Sequence, residues 1–232
     1  FEIMTIGIIN AMHKEHEQLA GLLQQPQTVS DGVASFVTGQ LGNCRLVLMQ
    51  SGIGKVNAAV GGVELIRRFA PDAIVNTGVA GGIDPSLQVA DVVAGVKVVY
   101  HDVDCGPENE LGRVQGLPLY YEADAQLLHA ALQLHTDTRV VGGLICSGDQ
   151  FVSDPAQLAC IKQRFPEGMA VDMESGALAQ VCHLYGVPFL SFRIISDTPG
   201  AEGHLDQYLN FWDVMADKSF GVTQALLAAL TA

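Results

Sequence analysis

Basic residues are scarce: Lys and Arg number 12 against 25 Asp and Glu, a formal charge of −13 over 232 residues. That balance disfavours a protein that works by neutralising nucleic-acid phosphates or an anionic lipid surface, and suits a small neutral or cationic ligand. Long hydrophobic runs are missing as well. Gly, Asp or Arg interrupts the apolar stretches within strand length, short of the roughly 18–20 residues of a membrane span. The five cysteines, Cys44, Cys105, Cys146, Cys160 and Cys182, are odd in number and form no C-x-x-C pair. Neither a disulfide framework nor a structural zinc site is expected, and a reducing, cytoplasmic compartment is. Only 16% of residues are charged while 49% are hydrophobic, which excludes disorder and predicts one domain over residues 1–232 with a sizeable core. Phe1-Glu2-Ile3 precede Met4, which reads as the natural initiator; cleavage of a signal peptide would also leave a chain beginning with Phe.

What is present is a recurring strand-then-helix pattern. Ile6-Gly7-Ile8-Ile9 leads into a helix carrying Leu19, Leu22 and Leu23; Leu46–Met49 passes through glycines into Val56–Phe69; Ala73-Ile74-Val75 runs into Gly78-Val79-Ala80-Gly81-Gly82. Further strands are expected at Val92–Tyr100, Val140–Ile145, Met169–Asp172 and Phe189–Ile195, and helices at Ala123–Gln133, Pro155–Phe165, Gly176–Tyr185 and Leu209–Leu230. Apolar strands alternating with helices are covered on both faces, so the fold class is α/β: a three-layer domain with a central mixed, largely parallel twisted sheet flanked by helices. No internal repeat or linker interrupts it. The Gly- and Pro-rich stretch Cys105–Tyr121 reads as a surface loop beside something functional.

Two glycine clusters sit at strand ends. Ser51-Gly52-Ile53-Gly54-Lys55-Val56 lacks the Walker A spacing, and Asn57 takes the last glycine slot of G-x-G-x-x-G; it suits a tight strand-to-helix turn or an anion cradle. Gly78–Gly82 suits either a bend or the close approach of a ligand. Three carboxylates, Glu15, Glu174 and Asp197, follow apolar strands, where open α/β sheets place their ligand crevice. Locally two of them have a plainer reading: Glu174 as an acid at a helix N-terminus, Asp197 as a turn residue. His13-Lys14-Glu15-His16 is not H-E-x-x-H and has no second ligand cluster, so no metal is expected. His101-Asp102-Val103-Asp104 looks like a ligand set or a strand end in a nucleoside or sugar site. No G-x-S-x-G supports a serine-triad hydrolase.

Six blocks, Ile6-Gly7-Ile8-Ile9 with Ala11-Met12, Ser51–Val56, Asn76–Gly82, Ser147-Gly148-Asp149-Gln150-Phe151, Val171-Asp172-Met173-Glu174 and Ile195-Ser196-Asp197, follow one another in an order and spacing that resemble those of the 5′-methylthioadenosine/S-adenosylhomocysteine nucleosidases, of the nucleoside phosphorylase-like superfamily. The resemblance covers essentially the whole chain. It implies a nucleoside phosphorylase-like fold, hydrolysis of the N-glycosidic bond of a 5′-thio-substituted adenosine without metal or organic cofactor, and a homodimer. By the same resemblance Asp197 is the general acid toward adenine N7 and Glu15 the base that activates water, with Arg193 near that water and Glu15. Glu174 would hold the ribose hydroxyls with Met173 packed against the sugar, Phe151 would stack on adenine, and Val152 and Ser196 would read the purine edge. Ile53 and Tyr208 would line the 5′ pocket. Val79 departs from the family, which often carries Ser there, and Cys105–Gly116 is polar and acidic where members place apolar residues, which suggests a polar or cationic 5′ extension. A phosphorylase on the same fold, a nucleosidase acting on 6-amino-6-deoxyfutalosine and a silent nucleoside-binding protein are the rival readings.

Overall fold

A computed structural model describes residues 3–214 and 216–232. The elements in chain order are β1 (Thr5–Asn10), α1 (His13–Ala20), β2 (Gln24–Asp31), β3 (Ala34–Leu41), β4 (Cys44–Gln50), α2 (Lys55–Phe69), β5 (Ala73–Gly82), β6 (Val92–Tyr100), β7 (Tyr121–Glu122), α3 (Ala125–Leu132), β8 (Val140–Ser147), α4 (Pro155–Arg164), β9 (Gly168–Asp172), α5 (Ser175–Tyr185), β10 (Phe189–Asp197), α6 (His204–Val214) and α7 (Ala216–Leu230).

β1 shows why the apolar runs form central strands. Ile6 and Ile8 join one apolar cluster with α1, α3 and α7, while Ile9 joins the other with α2 and α5. Gly7 opens room for α2, since a Cβ there would lie 2.7 Å from Leu65 Cδ2. Each such isoleucine, fully removed from water, contributes about 1.5–3 kcal/mol, and helix layers on both faces follow from burying both.

The sheet is mixed and runs β10-β6-β8-β9-β5-β1-β4-β3-β2, with β10 also pairing β5. β1, β4, β5 and β10 are parallel neighbours, as are β6, β8 and β9; β10–β6, β5–β9 and the β2–β3–β4 edge are antiparallel. The extra β10–β5 pairing closes five strands on themselves, so the sheet is not simply open.

Three expectations need correction. Gly78–Gly82 does not end β5 but continues it, and this lets the strand exchange neighbours: β1 flanks Ala73–Asn76, and β9 flanks Gly81–Gly82. A Cβ at Gly81 would stand 2.6 Å from Pro199 Cγ, which is why no side chain fits there. The β2–β3 hairpin was not expected, because β2 is polar and almost wholly exposed; only β3, with Ala34, Phe36 and Thr38 buried, shows the alternation of a half-buried strand. The last helical region begins at His204 rather than Leu209, and residue 215 within the expected span lies outside the described residues. No helix among the described residues is long and apolar enough to cross a membrane.

Candidate active site

The carboxyl ends of β5, β9 and β10 and the turn before α2 enclose a cavity of about 330 Å³. Ile53, Val79, Phe151, Val152, Met173, Glu174, Arg193, Ser196, Asp197 and Tyr208 all lie on its wall. Glu15 stands just behind Gly78, with Oε2 3.8 Å from the position a Cβ would take there.

Asp197 reaches the cavity through a β-bulge. Ile195 pairs with Ala80 and Asp197 with Gly81, so Ser196 is an extra residue, and two successive side chains face the cavity where strict alternation would turn one away. Ser196 Oγ donates to Asp197 Oδ1 at 2.6 Å. Burial raises the Asp197 pKa, opposed by the Ser196 hydrogen bond and by His204. Phe151 meets Tyr208 edge-to-face at 5.2 Å and lies nearly parallel to His204 at 6.3 Å. Gln207 Oε1 accepts from both the N–H and the hydroxyl of Thr198 at 3.0 Å, tying α6 and its Tyr208 to the end of β10.

Around Glu174 the site is charged and buried. Gly54 N–H donates to Oε1 at 3.1 Å and Arg193 Nη2 lies 3.4 Å from Oε2. Arg193, 1% exposed, is held by Asp172 Oδ2 at 2.7 Å, by Asn76 Oδ1, by Ser175 Oγ at 3.3 Å and by the Val79 carbonyl at 3.4 Å. A buried cation needs this many partners, because its desolvation costs several kcal/mol, on the order of the attraction that offsets it. Burial and then the Asp172 charge push the Glu174 pKa up, while Arg193 and the Gly54 hydrogen bond pull it down.

Glu15 projects inward from α1, and neither carboxylate oxygen has a hydrogen-bond partner among the described residues. Burial is the largest influence on its pKa and raises it, with the Glu174 charge acting in the same sense; Thr77 and Arg193 oppose. Gly78, at φ +141°, separates it from Arg193, and a Cβ there would lie 2.7 Å from Nη1. Gly78→Ala is therefore expected to cost on the order of 1–3 kcal/mol from backbone strain alone, and to displace Arg193 enough to reduce turnover at least 100-fold. Thermal melting and steady-state rates check this, and a fully active variant would show that the close packing is dispensable.

The neighbouring histidines do not converge with Glu15: His13 Nε2 pairs with Glu17 at 3.2 Å on the exposed side of α1. No group of three His, Cys, Asp or Glu able to hold a metal ion occurs among the described residues. The segment His101–Asp104, expected as a ligand set or part of a sugar site, lines none of the cavity; Asp102 instead pairs with Lys55 at 2.7 Å.

Comparison with known proteins sets this geometry in context. Residues 5–228 match the phosphorylase superfamily. A 5′-methylthioadenosine/S-adenosylhomocysteine nucleosidase of Bacillus thuringiensis (strain Al Hakam) is 42% identical over 213 residues, covering 89% of this chain and 92% of that one. The chain belongs to the phosphorylase superfamily, among its 5′-methylthioadenosine/S-adenosylhomocysteine nucleosidases. The crystal structure of the Neisseria meningitidis nucleosidase in complex with methylthio-immucillin-A superposes with TM-score 0.92 at 38% identity, covering 97% of this chain and 99% of that one. Futalosine hydrolase of Helicobacter pylori strain 26695 superposes with TM-score 0.89 at 26% identity, covering 97% of each chain.

Within this nucleosidase the polar cage of Arg193 is what a residue-by-residue reading of the sequence missed. Asn76, Asp172, Ser175 and Ser191 are all buried, and the Ser175 and Ser191 hydroxyls meet at 2.6 Å. Asn76 and Asp172 sit inside the recognised blocks. Asking which groups satisfy a buried arginine would have found them. The Val79 side chain offers no hydroxyl, but its carbonyl accepts from Arg193. Of the two acids in the expected acidic loop, Glu110 is paired with Arg113 in an exposed ion pair.

Proposed function

We propose that this nucleosidase hydrolyses the N-glycosidic bond of 5′-methylthioadenosine and S-adenosylhomocysteine, releasing adenine and the 5′-thioribose. The observation that carries the reading is the charge arrangement of the cavity: Arg193 is the cation on its wall among the described residues, and carboxylates already hold it. A phosphate nucleophile would meet Glu15 and Glu174 with no cation to receive it, whereas water carries no charge to repel.

In the proposed chemistry the C1′–N9 bond breaks as Asp197 gives its proton to N7, so adenine leaves neutral rather than as an anion. Water bonds to C1′ and passes a proton to Glu15. One water is added overall, and proton exchange with solvent resets both carboxyls. Glu174 accepts hydrogen bonds from the ribose 2′- and 3′-hydroxyls, and Met173 packs on the sugar. Phe151 stacks on the base, whose edge is read by Val152 and Ser196. Ile53 and Tyr208 face the 5′ substituent, and Arg193 holds Glu174 and Val79 around the water. Acid and base contribute about 10²–10⁴ each, and the ribose contacts supply positioning. A homodimer belongs to the same proposal. The loop 105–116 lines none of its own chain's cavity, so it would bear on the 5′ group by reaching the partner's.

Release of adenine from methylthioadenosine, S-adenosylhomocysteine and 6-amino-6-deoxyfutalosine, each with and without phosphate, tests the proposal. Rates on the first two should agree within about two-fold with and without phosphate. Strictly phosphate-dependent release would establish phosphorolysis instead, and release confined to the third substrate would reassign the specificity.

A further inference from the structure

The residues His101–Asp104 and Lys55 stand out in the sequence, and the chemistry above does not use them. The Asp102 carboxylate joins two loops: Oδ1 accepts from Lys55 Nζ at 2.7 Å, and Oδ2 accepts from the Asp149 N–H at 2.9 Å. Asp149 Oδ1 in turn accepts the Lys55 N–H at 2.7 Å, closing a ring of three bonds. Two glycines let the ring form. A Cβ at Gly148 would lie 2.8 Å from Asp102 Cγ, and Gly54, at φ +93°, would set a Cβ 3.0 Å from Asp149 Oδ1. Lys55 Nζ also lies 4.7 Å from the centroid of the Tyr100 ring, which favours a cation there.

The consequence lies one residue away. Gly54, immediately before Lys55, donates its N–H to Glu174 Oε1 at 3.1 Å. Asn57 Nδ2 anchors the same peptide by donating to the Ile53 carbonyl at 2.7 Å, and the ring adds a charged anchor on the next peptide, where Asp149 accepts the Lys55 N–H. We infer that Asp102, which touches no part of the cavity, is a positioning residue for ribose recognition, acting through Lys55 and Asp149 on the Gly54 N–H that orients Glu174. The pairing has strength to do so, since both side chains are largely shielded from solvent, 24% and 16% exposed. The inference rests on the reading of Glu174 as the ribose ligand.

A double-mutant cycle tests it, using kcat and KM on methylthioadenosine for the wild type, Asp102→Asn, Glu174→Gln and the pair. Asp102→Asn is expected to raise KM about ten-fold with kcat changed less than three-fold, and in the Glu174→Gln background its penalty should shrink to two-fold or less. Affinity for free adenine, which has no ribose, should stay within two-fold of wild type by calorimetry. Equal penalties in both backgrounds, or a matching loss of adenine affinity, would overturn the inference and leave Asp102 a general stabilising residue. If Glu174→Gln itself leaves kinetics unchanged, the reading of Glu174 fails, and the inference with it, a result visible before the cycle is closed. Should Asp102→Asn not fold, Lys55→Met carries the same cycle, because it breaks the ion pair while sparing the Asp102–Asp149 bond.

Discussion

Replacing Asp197 with Asn is expected to lower kcat by about 10²–10⁴ while leaving affinity for a non-hydrolysable nucleoside within a few-fold. Asp197 is 3% exposed and burial raises its pKa, which shifts the carboxyl toward the protonated form that an acid needs. Asn preserves the shape and still accepts from Ser196 Oγ, but it has no proton to transfer to N7. The pH profile adds a second readout. A raised pKa means that Asp197 loses its proton only as pH climbs above the usual carboxylate range, and the wild-type rate should fall on that alkaline side. The residual rate of the Asn variant should lack that fall. A variant keeping more than a tenth of wild-type turnover would remove Asp197 from the acid's role.

Glu15→Gln should produce a loss of similar size, about 10²–10⁴ in kcat, by removing the proposed base toward water. Here stability should move opposite to activity as pH rises. The folded Glu15 pKa is raised by burial, so its neutral form is favoured in the native state; that contribution is fully present below the ordinary value of 4.5 and is lost as pH climbs through the folded value. Gln does not titrate. The stability of the variant relative to wild type should therefore grow across that window and level off above it, as urea unfolding from pH 4 to 8 would show. A constant difference would mean that the carboxylate is not held in an unfavourable ionised state. Because burial outweighs the opposing effects of Thr77 and Arg193, the wild type carries part of the cost of a buried charge, which is the cost of keeping the proposed base beside the cavity.

The sequence announced its strands where both faces are apolar, as in Ile6–Ile9 and Phe189–Ile195, because burial on two sides leaves no polar positions to blur the pattern. The β2–β3 hairpin escaped notice for the converse reason: its outer strand faces solvent and carries Gln, Pro, Thr and Ser. Glu15, Glu174 and Asp197 drew attention by following apolar strands. The local sequence of Glu174 fitted a helix-terminal acid, and that of Asp197 a turn, as well as a site.

Composition and periodicity by themselves determined the α/β class, the helix layers on both faces of the sheet and the acidic net charge. The tertiary structure decided the rest. The bulge at Ser196 that turns Asp197 inward, the closure of β10 onto β5 and the cage of Asn76, Asp172 and Ser175 around Arg193 all join residues far apart in the chain. Local preference is blind to such contacts. A glycine such as Gly78 reads in the sequence as freedom to bend, and only the arrival of Arg193 from a strand more than a hundred residues later makes it a position where no side chain fits.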